Sequence, residues 1–355
     1  MAVTVRIRSV FVACVLFCLT MPSSAQLISE KIAPYAQVLL ENGHELDELQ
    51  NRELIVSVIA RAFANRDYDS LEQLAVQFRD KKLKTSSGVP KSGRYYRAFK
   101  DILYCAERCE SVGFEVEQRI NEWQEKYPNS TAVRIVHAEM LLQRGWAIRG
   151  RGFVNTVKPE SWKPFLGYVE SARNYLNDNE QFRNDDPNWD TTLLDIAKTQ
   201  SISDVEFDAM SEAALNRNPD HYEIYFSIAE KYAPKWGGSP DAIENFARDA
   251  VVRTQSFDGN SMYARIYWLA SQSQFGENLF NSSSVSWQQM KLGIEDVLKK
   301  YPDKWNIYNF AMFACFASDK EKAKELLSRI SHEQFNKSWP HFQHLENCRA
   351  YAGVN

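Results

Sequence analysis

Residues 51–78 read NRELIVSVIARAFANRDYDSLEQLAVQF, and this stretch decides the fold class. Its first half carries one apolar stripe at helical period, formed by Leu54, Ile55, Val58, Ile59, Ala62 and Phe63. Polar residues interrupt the stripe at 65–69, and Asp69 or Ser70 is expected to cap a second helix. That helix has its own stripe, formed by Leu71, Leu74, Ala75 and Phe78. The stretch therefore predicts two helices joined by a short polar turn.

Proline marks several later boundaries of the same kind, at Pro128, Pro187, Pro219 and Pro302. Proline ends one helix and starts the next with a fixed φ. Pro187 and Pro219 are 32 residues apart, close to the tetratricopeptide period of about 34. The neighbouring intervals, 59 and 83 residues, fit no single period. We therefore predict an all-α protein, an irregular array of antiparallel helical hairpins in a tetratricopeptide-like right-handed solenoid.

The composition of the 355 residues excludes wholesale disorder, because 44% are hydrophobic and 13% are aromatic. The net charge of −4 disfavours nucleic acid as a partner, since such binding needs a basic surface. No nucleophile elbow, zinc-protease motif or phosphate-binding loop occurs in the sequence. We therefore predict no cofactor, and enzymatic activity is the less favoured reading.

The first 25 residues predict a cleavable signal peptide. Arg6 and Arg8 precede the apolar run 10–19, and small residues stand before a cut after Ala25. The apolar run is too short for a transmembrane helix, so an uncleaved anchor is the weaker alternative. Cleavage changes the net charge from −4 to −6, because it removes two arginines and no acidic residue. A secreted or periplasmic location follows, with no integral membrane segment left in the mature chain.

Export makes the four remaining cysteines candidates for disulfides. Their positions favour a bond between Cys315 and Cys348, which lie on two late helices, although three pairings are open. Cys105 and Cys109 lie one helical turn apart, where a disulfide is strained, so two reduced core thiols are an alternative. A catalytic redox role for this pair is the least favoured reading.

Four short motifs that contain tryptophan stand out, and two of them lie in the segments 144–167 and 231–240, which interrupt the helical pattern. They are WAIRGRGF at 146–153, DPNW at 186–189, PKWGGS at 234–239 and YARIYW at 263–268. In combination they resemble a bacterial family named domain of unknown function 4034, over roughly residues 50–275. The resemblance implies a bacterial, all-helical protein, and it implies no catalytic residue because that family has no assigned activity.

These motifs supply the candidate ligand-binding residues. Tryptophan and arginine together form cation–π platforms or grip anions. The candidates are Trp146, Arg149, Lys235, Trp236, Tyr263, Arg265 and Trp268. The structural alternative is that Arg149 and Arg265 are buried ion-pair partners under packed rings. In the functional alternative these side chains line a groove that grips a peptide carboxylate, a glycan or another anion, and Glu139 and Asp186 orient the arginines.

Two further clusters suggest weaker sites. His341, His344 and Cys348 share one helical face and form a weak metal candidate, so we predict no metal site. The eight basic residues between Arg79 and Lys100, with Ser86–Gly88, read as a solvated connecting loop. The functional alternative is that these basic residues form a patch that binds an acidic partner or a membrane surface.

The sequence favours an exported scaffold that binds a protein or peptide. The alternative is a small-molecule, anion or glycan-binding protein, or an enzyme, with a pocket lined by Trp146, Arg149, Trp236 and Arg265. We expect the signal at 1–25, a helical-repeat domain at 26–275 and continuing hairpins at 276–355. The oligomeric state is left open.

Overall fold

A computed structural model describes residues 39–40, 46–107, 113–150, 152, 154–330 and 342–354. The described residues form sixteen α-helices, several short 3₁₀ turns and no β-strand, which confirms the all-α class. The signal peptide lies outside the described residues. No helix within the described ranges is both long enough and apolar enough to cross a membrane.

The chain forms two compact units. The first holds the described residues of Met1–Gly43, Gln50–Lys84 and Val89–Asn218; the second holds those of His44–Leu49, Thr85–Gly88 and Pro219–Asn355. The expected division at residue 275 therefore differs from the observed one at Asn218. Residues 276–355 belong to the same compact unit as the helices just before them.

The first unit contains most of α1 and the next seven helices. These are α1 (Glu48–Ala64), α2 (Tyr68–Asp80), α3 (Lys91–Glu107), α4 (Gly113–Lys126), α5 (Thr131–Arg149), α6 (Pro159–Asp178), α7 (Asn188–Gln200) and α8 (Asp204–Arg217). Helix α5 lies at the centre and contacts α3, α4, α6 and α7. Its residues are buried on nearly every side of the helix, polar ones included, as expected of a helix enclosed by neighbours.

The second unit contains the other eight helices. These are α9 (Tyr222–Lys231), α10 (Pro240–Asp258), α11 (Ser261–Ala270), α12 (Leu279–Ser282), α13 (Trp287–Lys300), α14 (Lys304–Phe316), α15 (Lys320–Leu327) and α16 (Phe342–Ala352). Helix α11 is the buried centre and contacts α9, α10 and α13. The structure joins Cys315 on α14 to Cys348 on α16 by a disulfide, with their Cα atoms 5.8 Å apart.

The helix boundaries follow local sequence signals. Each of the four prolines stands between two helical segments, as predicted. The cap of α2 is an exception, because Asp67 rather than Asp69 or Ser70 accepts the backbone N–H of Ser70. Asp69 and Ser70 instead form the first turn of the helix, so the helix begins earlier than predicted.

The predicted solvated loop around Ser86–Gly88 is wrong. Thr85, Ser87 and Gly88 are buried in the second unit. The carbonyl oxygen of Ser87 accepts hydrogen bonds from Arg265 Nη2 and Asn306 Nδ2, both at 3.1 Å. Ser87 is accommodated at this buried position because the surrounding side chains bind its carbonyl oxygen.

The basic run beside that loop is not one exposed patch either. The Nζ of Lys91 donates to the carbonyl oxygen of Leu39 at 2.7 Å, and the Lys91 side chain is buried. Lys100 Nζ lies 3.1 Å from Glu139 Oε1 and 2.7 Å from Asp195 Oδ2. Lys91 and Lys100 therefore form their interactions inside the first unit.

Candidate functional site

The candidate site lies where α6 packs against the C-terminal end of α5. Gly145 permits the approach, since a Cβ there would lie 3.2 Å from both the Cδ2 and the carbonyl oxygen of Phe165. The close packing places Trp162, Phe165 and Tyr168 of α6 beside the last turn and a half of α5. Phe165 is fully buried, whereas Trp162 and Tyr168 are half-buried.

Arg149 ends α5 in a cradle of aromatic rings. Its guanidinium carbon lies 5.1 Å from the ring centroid of Trp146, 4.9 Å from that of Trp162 and 5.6 Å from that of Phe165. Trp146 packs edge-on against Phe165, with centroids 4.9 Å apart. A cation over aromatic faces is attracted by their negative charge density, and partial desolvation strengthens the attraction.

The hydrogen bonds of Arg149 use only part of its guanidinium. Nη1 donates to the carbonyl oxygens of Gly150 at 3.0 Å and Gly152 at 3.1 Å. Among the described residues, no carboxylate lies within ion-pair distance of this arginine, whose side chain is partly exposed. Desolvation by the rings lowers the pKa of Arg149 below its usual value. Arg149 is therefore a cation without an acidic partner in the described part of the first unit.

An open groove of about 340 Å³ lies along the same end of α5. Its lining consists of Glu107, Arg144, Ala147, Ile148 and Tyr168. Arg144 Nε lies 2.8 Å from Glu107 Oε1. Ile148 is 42% exposed, so a large apolar side chain faces solvent at the groove. The groove thus combines an ion pair with a smaller apolar part formed by Ala147 and Ile148.

The electrostatics of the groove depend on Arg144. Burial raises the pKa of Glu107, and the Arg144 guanidinium opposes this rise by a hydrogen bond and by its charge. Arg144 Nη2 also lies 3.0 Å from Glu117 Oε2, so two carboxylates share one arginine. The lining therefore offers negative as well as positive charge to a ligand.

The other candidate residues belong to the second unit, and two of them serve its core. Tyr263 is 1% exposed; its hydroxyl donates to Glu244 Oε2 at 2.6 Å and accepts from the backbone N–H of Ser286 at 2.8 Å. Arg265 is 4% exposed. Its guanidinium carbon lies 5.2 Å from the ring centroid of Tyr222 and 5.8 Å from that of Tyr301. The prediction that these two side chains bind a ligand is not supported by their burial.

The remaining three candidates are more exposed but do not share a described cavity. Lys235 forms an ion pair with Glu230 at 2.7 Å. Trp236 is half-buried in the 3₁₀ turn Pro234–Trp236. Trp268 stacks on Trp305, with ring centroids 6.4 Å apart, and packs edge-on against Phe310, with ring centroids 5.4 Å apart. These contacts account for Lys235 and Trp268 as parts of the second unit's surface and core.

Glu139 and Asp186 do not orient the arginines, contrary to expectation. Glu139 pairs with Lys100, and Thr192 Oγ1 donates to it at 3.2 Å. Asp186 accepts the hydroxyl of Tyr96 at 2.7 Å and the backbone N–H of Asn188 at 2.9 Å. Both acids are buried inside the first unit, where they join helices that are distant in sequence.

The weak metal candidate fails on chemistry. Cys348 is in the disulfide with Cys315, so it has no thiolate to offer a metal. His344 Nε2 instead lies 3.0 Å from Glu277 Oε1, and His341 lies outside the described residues. No group of three or more potential ligands occurs in the described ranges. Cys105 is buried and disulfide-bonded, which corrects the reduced-thiol alternative for it; Cys109 is not described.

Sequence reasoning identified Trp146 and Arg149 but missed the groove beside them. Arg144, Ala147 and Ile148 share one face of α5, since they lie three and four residues apart. That spacing is visible in the sequence, but the partners Glu107 and Tyr168 come from two other helices. Only the packing at Gly145 shows that these helices meet there.

The chain was also compared with known proteins. No protein-family model, no curated protein and no solved structure matches it.

Proposed function

We propose that the protein is an exported helical-repeat protein that binds a peptide in the groove at the C-terminal end of α5. The observation that carries the proposal is the groove itself: about 340 Å³, open to solvent, with the Arg144–Glu107 ion pair beside Ile148 and Tyr168. Ligand sites typically combine apolar walls with a few polar groups that fix orientation. Peptides present both apolar side chains and backbone polar groups to such a surface.

The wider architecture in this proposal is a tetratricopeptide-like right-handed solenoid. Alternate helices contact one another within each unit: α3, α5 and α7 in the first, and α9, α11 and α13 in the second. Stacked hairpins bring their first helices together in this way, and their exposed faces then form an extended binding surface. This pattern supports the solenoid and a scaffold role, with the groove as its specific part.

A second candidate function is the binding of a small anion or a glycan without a peptide. Arg149 in its ring cradle favours it, because rings and a cation suit planar or anionic ligands. The burial of Arg265 removes one of the four residues originally expected to line such a pocket. The peptide proposal is preferred because the groove places the exposed apolar side chain of Ile148 beside the Arg144–Glu107 ion pair.

Binding to an array of synthetic nonapeptides of randomised sequence, with free C-termini, tests the peptide proposal. Selected peptides should bind the wild type, and Ile148→Glu should weaken binding at least about tenfold by placing a charge on the apolar wall. Val205→Glu is the matched control, because Val205 is an exposed apolar residue of the same unit at the start of α8. Equal binding by both variants would contradict the proposal, as would a wild type that selects no peptide.

Export and family membership also belong to the proposal. Intact mass of the protein from the exported fraction should correspond to a chain that begins at Gln26. A chain that retains Met1 in that fraction would contradict the cleavage site. Membership of the family named domain of unknown function 4034 stays a prediction that rests on the four sequence motifs.

A further inference from the structure

We propose that Arg149 binds the carboxylate of the peptide, side-on, through its Nε and Nη2 groups. The inference rests on the proposed function, since it names the chemistry that the ligand presents next to the groove. Arg149 and the groove-lining Ile148 are adjacent residues of α5, and Phe165 and Tyr168 of α6 lie one helical turn apart. The proposal has one short ligand span both places along the α5–α6 pair.

The donor inventory of Arg149 identifies the binding edge. A guanidinium carries five N–H donors in a planar fork. The two hydrogens on Nη1 serve the carbonyl oxygens of Gly150 and Gly152. The Nε and Nη2 groups make no hydrogen bond in the described part of the chain, and neither is among its buried unsatisfied atoms. Three donors thus remain for an acceptor from solution, and two of them, Nε–H and one Nη2–H, point along the same edge.

The immobilised fork favours a planar, two-oxygen acceptor. Two hydrogen bonds and three rings hold the guanidinium, so little side-chain entropy is lost when a ligand binds. Parallel N–H donors match the two oxygens of a carboxylate in bidentate geometry. The rings also supply an apolar wall for the carbon atoms attached to the carboxylate.

The local charge favours a carboxylate over a phosphate monoester. A carboxylate carries one negative charge, which the single guanidinium balances, whereas a phosphate monoester carries close to two. Among the described residues, the arginine at the groove, Arg144, is already shared by Glu107 and Glu117. The carbonyl oxygens of Gly150 and Gly152 add negative partial charge, which further disfavours a dianion.

The test compares a selected peptide with a free C-terminus, the same peptide amidated, and the amidated peptide with an aspartate at its last position. The second arm removes the terminal carboxylate, and the third restores a carboxylate on a side chain. Amidation should weaken binding to the wild type at least tenfold, and the Nε–H signal of Arg149 in a ¹H–¹⁵N spectrum should shift only with carboxylate-bearing peptides. Recovery in the third arm would assign the site to side-chain carboxylates as well as termini.

Variants separate the fork from its charge. Arg149→Lys keeps the charge but loses the side-on fork, so it should lose most of the difference between free and amidated peptide. Arg173→Lys is the control, because Arg173 is a partly exposed arginine on α6 whose Nη1 and Nη2 already donate to Gln200 and Glu206. An unchanged difference between the two peptides in Arg149→Lys would overturn the assignment.

The failures of the two proposals are distinguishable. If peptides bind and Ile148→Glu weakens them, but amidation has no effect, the groove stands and the Arg149 assignment is wrong. If no peptide binds, N-acetyl-leucine and N-acetyl-leucinamide serve as probes at millimolar concentration. A shift of the Arg149 Nε–H signal with the acid alone would support the carboxylate site, and no shift would overturn it.

Discussion

Arg149 and Arg265 have similar aromatic surroundings, yet only Arg149 keeps donors at the surface. Both stand in motifs that combine Arg with aromatic residues, so the sequence gives them the same interpretation. The two arginines differ in burial because Arg265 donates a hydrogen bond to the carbonyl oxygen of Ser87, which is 178 residues away in the chain. Neither local spacing nor composition indicates that contact. Residue type was therefore a sound guide to candidate cations, and burial was not predictable from it.

Gly88 is the residue that this buried contact needs most. Its φ is +85°, and a Cβ there would lie 2.4 Å from Tyr301 Cδ2 and 2.6 Å from Arg265 Nη2. Gly88→Ala should lower the free energy of unfolding by about 3 kcal/mol, of which about 1 kcal/mol is backbone strain and the rest is overpacking. Chemical denaturation measures the change.

Gly237 provides the control for that substitution. Its φ is +87°, and an added Cβ would meet no atom within 4 Å. Gly237→Ala should therefore lose only the backbone contribution of about 1 kcal/mol. Equal losses for the two variants would show that Gly88 is not packed as the structure describes.

Lys91 predicts a pH dependence of stability. It is buried without a carboxylate within ion-pair distance among the described residues, and burial lowers its pKa from 10.5 to about 8. Between pH 8 and 10.5 the unfolded chain holds this proton more tightly than the folded chain, so stability rises with pH. Below pH 8 the full cost of the buried charge applies.

Lys91→Met isolates this contribution. The free energy of unfolding of the wild type, minus that of Lys91→Met, should rise by about 2 kcal/mol from pH 8 to pH 10.5. Lys163→Met, at an exposed lysine of α6, controls for the loss of a surface charge. A wild-type minus Lys91→Met difference that falls with pH would contradict the burial of Lys91 away from any described carboxylate.

At the scale of the helices, sequence periodicity was a good guide to which residues are buried. Ile55, Val58, Ile59, Ala62 and Phe63 of the first predicted stripe are all buried on α1. The stripes work because helical period alone places these side chains on one face. Periodicity does not indicate which helix covers that face, so the pairing of helices could not be predicted from the sequence.

Glycines inside helices show where two helices touch closely. Gly293 lies on α13. A Cβ added at this residue would lie 2.7 Å from the carbonyl oxygen of Asn260 and 2.9 Å from Ala264 Cβ on α11. Gly293→Ala should therefore destabilise the protein by about 1–3 kcal/mol, although alanine favours helix. Thermal or chemical unfolding measures the effect.

Gly167 of α6 is the opposite case. It is exposed within the helix, and an added Cβ would meet no atom within 4 Å. Gly167→Ala should stabilise the protein by about 0.5–1 kcal/mol through helix propensity alone. A stabilising effect from Gly293→Ala of similar size would contradict the close packing of α11 and α13.

At the scale of the whole molecule, the sequence indicated the class but not the division of the chain. It placed a boundary near residue 275, where the recognised motifs end. The compact units divide at Asn218, and the second unit also takes up the short segments His44–Leu49 and Thr85–Gly88. The sequence composition does not show which unit such short segments belong to. Their position depends on individual hydrogen bonds, such as those that the Ser87 carbonyl oxygen accepts.

The seven candidate residues divide in the same way. Trp146 and Arg149 belong to the first unit, and the other five belong to the second. The shared residue types of the motifs suggested one pocket, whereas the motifs belong to different units and each unit has to be considered separately. The groove that replaces this pocket depends on three helices of the first unit, α3, α5 and α6.

Hydrogen–deuterium exchange of the wild type with and without a saturating selected peptide tests the central claim most directly. If the peptide binds as proposed, exchange should slow at residues 144–149 of α5 and 162–168 of α6, and little elsewhere. Slower exchange confined to helices of the second unit, with these two segments unchanged, would contradict it.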